Sequence, residues 1–300
     1  MSAMKNMPAM KKFLPFLPWI ALLVAPVSGL GSVGGPEPLP VRAEVKTDRV
    51  SVWVDGALFT EYKFAADQKY PYFFPVNGPR SGASVTTESS EPYPHHHSLF
   101  FGCDRVNGGN YWQEANERGR IVSRNIQLLD AGPGRAQWQN TCLWQRPGAP
   151  SPFQDERIIT ITAPSPDLRF IDFEITLTAL IDVQIEKNNH SLFAARMVPE
   201  LSVLQGGTLR NAEGQAGEKE TFGVPSAWCD YWGKREGQAE GLAIFPHPGN
   251  PWHPPRWFTR DYGFFSPTPM FWLDNDLFQM KKDQTLHLRY RVVVHAGDTQ

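Results

Sequence analysis

Apolar residues recur at every second position through much of the chain. In LRFIDFEITLTAL, Ile171, Phe173, Ile175 and Leu177 alternate with Asp172, Glu174, Thr176 and Thr178, the period of a strand with one buried and one wet face. LHLRYRVVVHAGD repeats the pattern near the end, with Leu286, Leu288, Tyr290, Val292 and Val294 opposed to His287, Arg289, Arg291 and His295. VSVWVDGALFTEYKF, Val50 to Phe64, breaks at Asp55-Gly56, a pair that tolerates positive φ and so predicts a hairpin. ERIITITAP, SLFAARMVPELSVL and EGLAIFPHP are further short apolar or β-branched runs bounded by Gly or Pro. Nothing beyond the N-terminal segment sustains a helical period. The 27 prolines also oppose long helices, because each lacks an amide donor. Many short strands, with no internal repeat and no linker between them, predict one all-β domain built as a sandwich or barrel.

The first residues read differently. Lys5, Lys11 and Lys12 precede FLPFLPWIALLVAPV and the small residues Ser28, Gly29, Gly31 and Ser32, which is the layout of a secretory signal peptide. The apolar run is shorter than the roughly 18 residues of a membrane span, and Pro15, Pro18 and Pro26 interrupt it. The expected organisation is a signal peptide over 1–31, a flexible tether over 32–44 and the β domain over 45–300. The mature product is expected to be secreted or periplasmic, with no membrane attachment after cleavage.

Composition narrows the partners. A formal net charge of -2 gives no electrostatic reason to expect nucleic acid or anionic lipid. Cys103, Cys142 and Cys229 are an odd number, permitting one disulfide at most, and none lies in a Cys-x-x-Cys pair. Ten tryptophans and nineteen phenylalanines suit a β core, with a few left over for stacking on the apolar face of a sugar. There is no Gly-x-Ser-x-Gly elbow, phosphate loop or dinucleotide fingerprint. The acidic pair Asp155-Glu156 lies beside a strand start and is expected to be solvated.

The candidate chemistry centres on EPYPHHHSLFFGCDRVNGGNYW. In an extended segment His95 and His97 share one side and His96 takes the other. A metal would then need His95, His97 and a third ligand from His247 or His253. A proton-transfer site needs one imidazole and a carboxylate across a cleft.

PYFFPVNGP, PHHHSLFFGCDRVNGGNYW, GRIVSR, HSLFAARMVPELS, WCDYWG, GLAIFPHPGNPWHPPRWFTRDYGFFSPTP and LRYRVVVHAGD occur in the order found in PmoA-like proteins, and the chain resembles that family from Val50 to Asp298. The resemblance implies an all-β, galactose mutarotase-like supersandwich of antiparallel sheets, whose concave sheet commonly holds carbohydrate. Such proteins are often labelled methane oxygenases. That chemistry is not expected, because a particulate methane monooxygenase subunit needs several membrane spans. The chain departs from the family pattern at His97, where Arg is usual. Arg is no metal ligand, so neither a metal nor another cofactor is expected.

The resulting expectation is an exported protein that acts on a carbohydrate by cofactor-free proton transfer, in the manner of an epimerase, lyase or hydrolase. The alternative is a carbohydrate-binding module without chemistry. His96 is the expected acid, with Asp261 in TRDYGFF, or else Glu200 in RMVPELS, as base; Asp261 reads equally as an ion-pair partner fixing its loop. Candidate sugar contacts are His95, Trp112, Arg196, His247, Asn250, His253, Trp257 and Arg260. Arg196, flanked by apolar residues, is either a structural partner of a carboxylate or a fork for substrate oxygens. Trp112 is either a stacking platform or a core ring.

Overall fold

The computed structural model describes residues 37–298. The expected signal peptide, 1–31, and residues 32–36 of the expected tether lie outside the described residues. In chain order the strands are β1 Val41–Val45, β2 Arg49–Val54, β3 Ala57–Lys63, β4 Tyr72–Val76, β5 Leu99–Val106, β6 Gly109–Tyr111, β7 Arg120–Asp130, β8 Arg135–Gln145, β9 Phe153–Ser165 and β10 Leu168–Ala179. They continue with β11 Val183–Glu186, β12 Ser191–Arg196, β13 Thr208–Asn211, β14 Cys229–Arg235, β15 Gln238–Pro246, β16 Phe258–Arg260, β17 Phe264–Ser266, β18 Leu277–Met280 and β19 Thr285–Ala296. Among the described residues, one short α-helix, α1, spans Gly217–Thr221.

The strands form two antiparallel sheets. One has eleven strands, with β1-β2-β3-β4-β5-β12-β17-β16 as its main order; the other has eight, ordered β13-β14-β15-β19-β10-β9-β8-β7. This is the all-β arrangement that the alternating pattern predicts, and its two antiparallel sheets make the supersandwich that the resemblance implied. Asp55 and Gly56 take φ of 49° and 78° and close the β2–β3 hairpin. Residues 41–44, expected as tether, belong to the sheet: β1 pairs with β2 from Val41↔Val54 to Val45↔Val50 and buries Val41 and Ala43. A strand whose alternate side chains reach the core stays ordered.

Between the sheets, Phe101 and Phe193 of the larger sheet meet Phe173 of the smaller one at ring distances of 6.0 and 5.1 Å. Phe193 also stacks on Tyr290 at 4.6 Å. Side chains alternate along a strand. Phe100, Gly102, Asp104, Ala194 and Arg196 therefore face away from the smaller sheet, and Asp172, Glu174, Arg289 and Arg291 face away from the larger. The molecule thus has two outer sheet faces, and these carry the two groups of candidate residues.

Two charge expectations change. Asp155, expected to be solvated, is fully buried: it accepts from Trp144 Nε1 at 2.7 Å and pairs with Arg157 Nε at 2.8 Å. Glu156, one step along β9, is exposed, so the alternation of the strand separates two adjacent acids. His295, expected on the wet face, is buried and bonds Asp230 through Nε2 at 2.9 Å. Cys103, Cys142 and Cys229 are all buried and unpaired.

Candidate functional site

The three consecutive histidines do not form a strand; they lie in the turn that leads into β5. The turn is held by the Tyr70 hydroxyl, which donates to the His95 carbonyl at 2.7 Å, and by the His96 amide, which donates to the Tyr93 carbonyl at 3.1 Å. The side chains therefore do not alternate as in extended chain. The His95 and His96 rings meet edge to face at 4.4 Å. His97 turns away, stacks on Tyr72 at 5.0 Å and bonds the Glu88 carbonyl through Nδ1 at 2.8 Å. The expected His95/His97 pairing is thus replaced by His95 with His96.

A third imidazole completes the group. His190, in the loop before β12, lies 6.1 Å from the His95 ring. Ligating nitrogens of His95, His96 and His190 all fall within 4.8 Å of one another. His190 Nδ1 faces Asp104 Oδ2 at 3.6 Å. Asp104 is itself held by Asn110 Nδ2 and by the Arg105 amide, both at 2.7 Å.

Aromatic rings wall this chamber. His96 lies between Phe264 at 4.3 Å and Tyr93 at 5.4 Å, both nearly parallel to it. Trp112, fully buried, packs against His190 at 5.6 Å and Phe100 at 4.7 Å. Its approach depends on Gly102, where a Cβ would stand 2.7 Å from the Tyr111 carbonyl oxygen and 3.5 Å from Trp112 Cε3. Arg196, at the end of β12, is buried with its guanidinium 4.3 Å over the Tyr262 ring. Its Nε and one terminal nitrogen donate to Ser90 Oγ at 3.4 and 3.2 Å.

Polar atoms here go unmatched. His95 Nε2, both nitrogens of His96, Trp112 Nε1 and one terminal nitrogen of Arg196 are buried without a hydrogen-bond partner. Most buried polar atoms in folded proteins are paired, because an unmade bond costs about 1–3 kcal/mol. Backbone strain gathers at the same place: Ser98, Arg105 and Leu192 adopt φ of 59°, 52° and 70°, immediately after the histidine turn, Asp104 and the His190 loop respectively. Positive φ in non-glycine residues is found disproportionately at functional sites.

Electrostatics fix the protonation state. Burial, reinforced by His190, His97 and Arg196, lowers the His95 pKa to about 4. Burial, with His95 and Arg196 next, lowers that of His96 to about 2. Both are neutral bases at neutral pH. The acid role expected of His96 therefore fails on desolvation: a buried ring beside a guanidinium does not carry the proton it was expected to donate. A neutral imidazole of such low basicity can still accept a hydrogen bond or ligate a metal.

The expected carboxylates lie elsewhere. Asp261 accepts from the Glu218 amide at 2.7 Å, and its own amide donates to Glu218 Oε2 at 3.1 Å. It fixes the start of α1, while its neighbour Tyr262 reaches the chamber. Arg260 pairs with Glu218 at 2.7 Å and lies over Phe258 and Phe222, a structural role. Glu200 is exposed in a 3-10 turn. Trp257 is a core ring whose Nε1 donates to the Ser226 carbonyl at 2.9 Å.

His247, Asn250 and His253 belong to the opposite face, over the eight-stranded sheet. His247 and His253 border a cleft of about 480 Å³ with Asp172, Glu174, Trp228 and Arg289. His247 Nδ1 accepts from Arg289 at 2.8 Å. Asn250 bonds the Arg289 backbone through both side-chain atoms at 2.9 Å, substituting for a strand neighbour. These residues do not meet His96.

Of the residues expected from sequence, His95, His96, Trp112 and Arg196 lie together here, and they are joined by His190, Asp104, Tyr93 and Tyr262, which were not among the expected residues. His190 opens the HSLFAARMVPELS motif, a signal that was available. Asp104 sits in the histidine segment itself, next to Cys103.

Solved structures similar to this chain include the α-galactosidase from Lactobacillus brevis, at 7% identity and a TM-score of 0.37, covering 86% of this chain and 39% of that one. A GH36 α-galactosidase from Geobacillus stearothermophilus in complex with raffinose gives 8% identity and a TM-score of 0.34, covering 86% and 41%. The GalM/aldose epimerase homologue from C. elegans gives 6% identity and a TM-score of 0.33, covering 87% of this chain and 100% of that one. The chain thus spans about two fifths of the length of the galactosidases. No curated protein matches it. Residues 49–300 match a family model along most of the chain, and the protein belongs to the family described as "Family of unknown function (DUF6807)".

Proposed function

We propose that this is an exported protein that binds a carbohydrate in the His95/His96/His190 chamber and acts on it there. The observation that carries this reading is the cluster of buried, unpartnered polar atoms on His95, His96, Trp112 and Arg196, set among the rings of Tyr93, Phe264 and Tyr262. A sugar offers what such a wall needs, namely hydroxyls that both donate and accept, and an apolar ring face for an aromatic. The same burial that keeps His95 and His96 neutral also makes them weak bases, so they suit hydrogen bonding to sugar hydroxyls in place of the imidazolium donation first expected of His96, and His190, beside Asp104, is the imidazole left for proton transfer. Export is supported by the charged start, the short apolar run and the small residues that follow it. The family match over residues 49–300 spans both sheets and supports one working domain.

A second reading, binding without chemistry, draws on the fact that His190 alone of the three imidazoles has a carboxylate beside it. One experiment addresses both readings. The exported protein is titrated with a panel of mono- and oligosaccharides by calorimetry, and each ligand is followed by NMR for epimerisation, elimination or cleavage. Binding that weakens at least tenfold in Arg196→Gln, with turnover, supports action on the sugar. Such binding without turnover supports the module. Absence of binding to any sugar at millimolar concentration sinks the carbohydrate reading.

A further inference from the structure

We propose that His95, His96 and His190 together hold one divalent transition-metal ion, with a fourth position open to a ligand oxygen. This goes beyond the carbohydrate reading: it shares the chamber with it but does not depend on the ligand being a sugar.

Four observations converge. The first is the ligand set, three imidazoles whose nitrogens lie within 4.8 Å of one another. Tetrahedral zinc at about 2.0–2.1 Å from each nitrogen places them about 3.3 Å apart. The remaining contraction falls within side-chain torsions, because no hydrogen bond holds the His96 ring or His95 Nε2. The second is that unmatched valence. A hydroxyl satisfies one of these nitrogens at a time, whereas a single cation satisfies three lone pairs together. The third is Asp104, whose carboxylate faces His190 Nδ1. It favours the proton on that nitrogen and leaves Nε2 as the lone pair, the carboxylate–histidine–metal arrangement typical of zinc sites. The fourth is the rim. Arg196 keeps one donor unpartnered beside the cluster, and Asp104 is the one carboxylate found against these imidazoles among the described residues. A divalent ion added to Arg196 leaves the chamber cationic. The open position therefore favours an anionic or readily ionised ligand oxygen, such as a hydroxyl that loses its proton on binding, which Arg196 is placed to neutralise.

The trio differs from the one considered from sequence. His97 is excluded by its bond to Glu88, and His247 and His253 by lying over the other sheet. The residue type at position 97 therefore has no bearing on the metal.

The test uses the full exported chain, stripped with a chelator and dialysed. Zinc is titrated by calorimetry, and cobalt(II) is added for its visible spectrum, both without sugar. The expected result is one ion per chain, with the intense d–d bands of four-coordinate cobalt. His95→Gln and His190→Gln are expected to lower affinity by more than the roughly 10- to 100-fold typical of losing an outer partner. His97→Arg and His253→Gln are expected to leave it unchanged. Failure of the wild-type chain to take up zinc or cobalt stoichiometrically overturns the proposal, as does full uptake by folded His95→Gln and His190→Gln. If those two variants do not fold, the wild-type stoichiometry and cobalt spectrum decide. Sugar titrations on the stripped and loaded protein then separate failure of the metal site from failure of the carbohydrate reading.

Discussion

His190 and Asp104 are tied twice: the imidazole Nδ1 faces the carboxylate at 3.6 Å, and the Asp104 amide donates to the His190 carbonyl at 2.8 Å. The second link fixes the backbone of the histidine loop to β5, and the first orients the ring. Asp104→Asn keeps a carbonyl oxygen for Asn110 and Arg105 but loses the charge. We expect it to reduce metal affinity about 10- to 100-fold while shifting the melting temperature little. Cobalt titration beside thermal denaturation checks this; unfolding of the variant would instead assign Asp104 to the scaffold.

Gly102 sets how closely Tyr111 and Trp112 pack on β5. Gly102→Ala brings a Cβ against the Tyr111 carbonyl and the Trp112 ring, and backbone there cannot give way as a flexible side chain can. Overpacking of this kind costs about 1–3 kcal/mol. A lowered denaturant midpoint, together with altered Trp112 fluorescence, is the expected result. A variant as stable as the parent would show that the approach of Trp112 to β5 is looser than described.

Arg157 and Asp155 form an ion pair with both side chains fully buried, joined by the Tyr62 hydroxyl and Trp144 Nε1. Removing one member strands the other charge in the core, so Arg157→Met should destabilise the fold by about 3–5 kcal/mol. Replacing both, with Asp155→Leu added, should recover most of that loss. Urea midpoints of the parent, single and double variants measure the coupling, and equal losses in single and double variants would count against it.

The buried His295 gives the fold a pH dependence separate from the chamber. Burial alone would lower its pKa, but the Asp230 hydrogen bond and charge, with the Gly297 carbonyl and Glu240 adding to them, raise it overall. Its contribution is complete below the ordinary histidine value of about 6.5 and is lost as pH rises through the higher folded-state value. The stability difference between the parent and His295→Gln should therefore shrink as pH is raised from 6 into the alkaline range. A difference that grows over that range contradicts the assignment.

Local pattern alone determined the strands. Ile171, Phe173, Ile175 and Leu177 point inward because a pleated chain with one apolar face has a single way to hide it, and Asp55-Gly56 turns because both residues tolerate positive φ. The histidine segment stood out as a candidate site for a similar reason: polar rings beside an apolar run require an explanation wherever they fall. What the sequence left undecided was every choice that depends on a distant partner. His95 meets His96 rather than His97 because Tyr70 and Tyr93 hold the turn. His190 joins them because β12 pairs with β5, from Ser191↔Cys103 to Ala195↔Leu99. Asp261 is drawn to α1 by the Glu218 amide, one residue away from Tyr262 in the chamber, and the His247 loop is carried to the opposite face by the order of strands in the second sheet. Periodicity is a property of neighbouring residues and survives in one dimension; proximity between residues far apart in sequence, and the desolvation that sets their charge, exist only once the sheets have paired and packed.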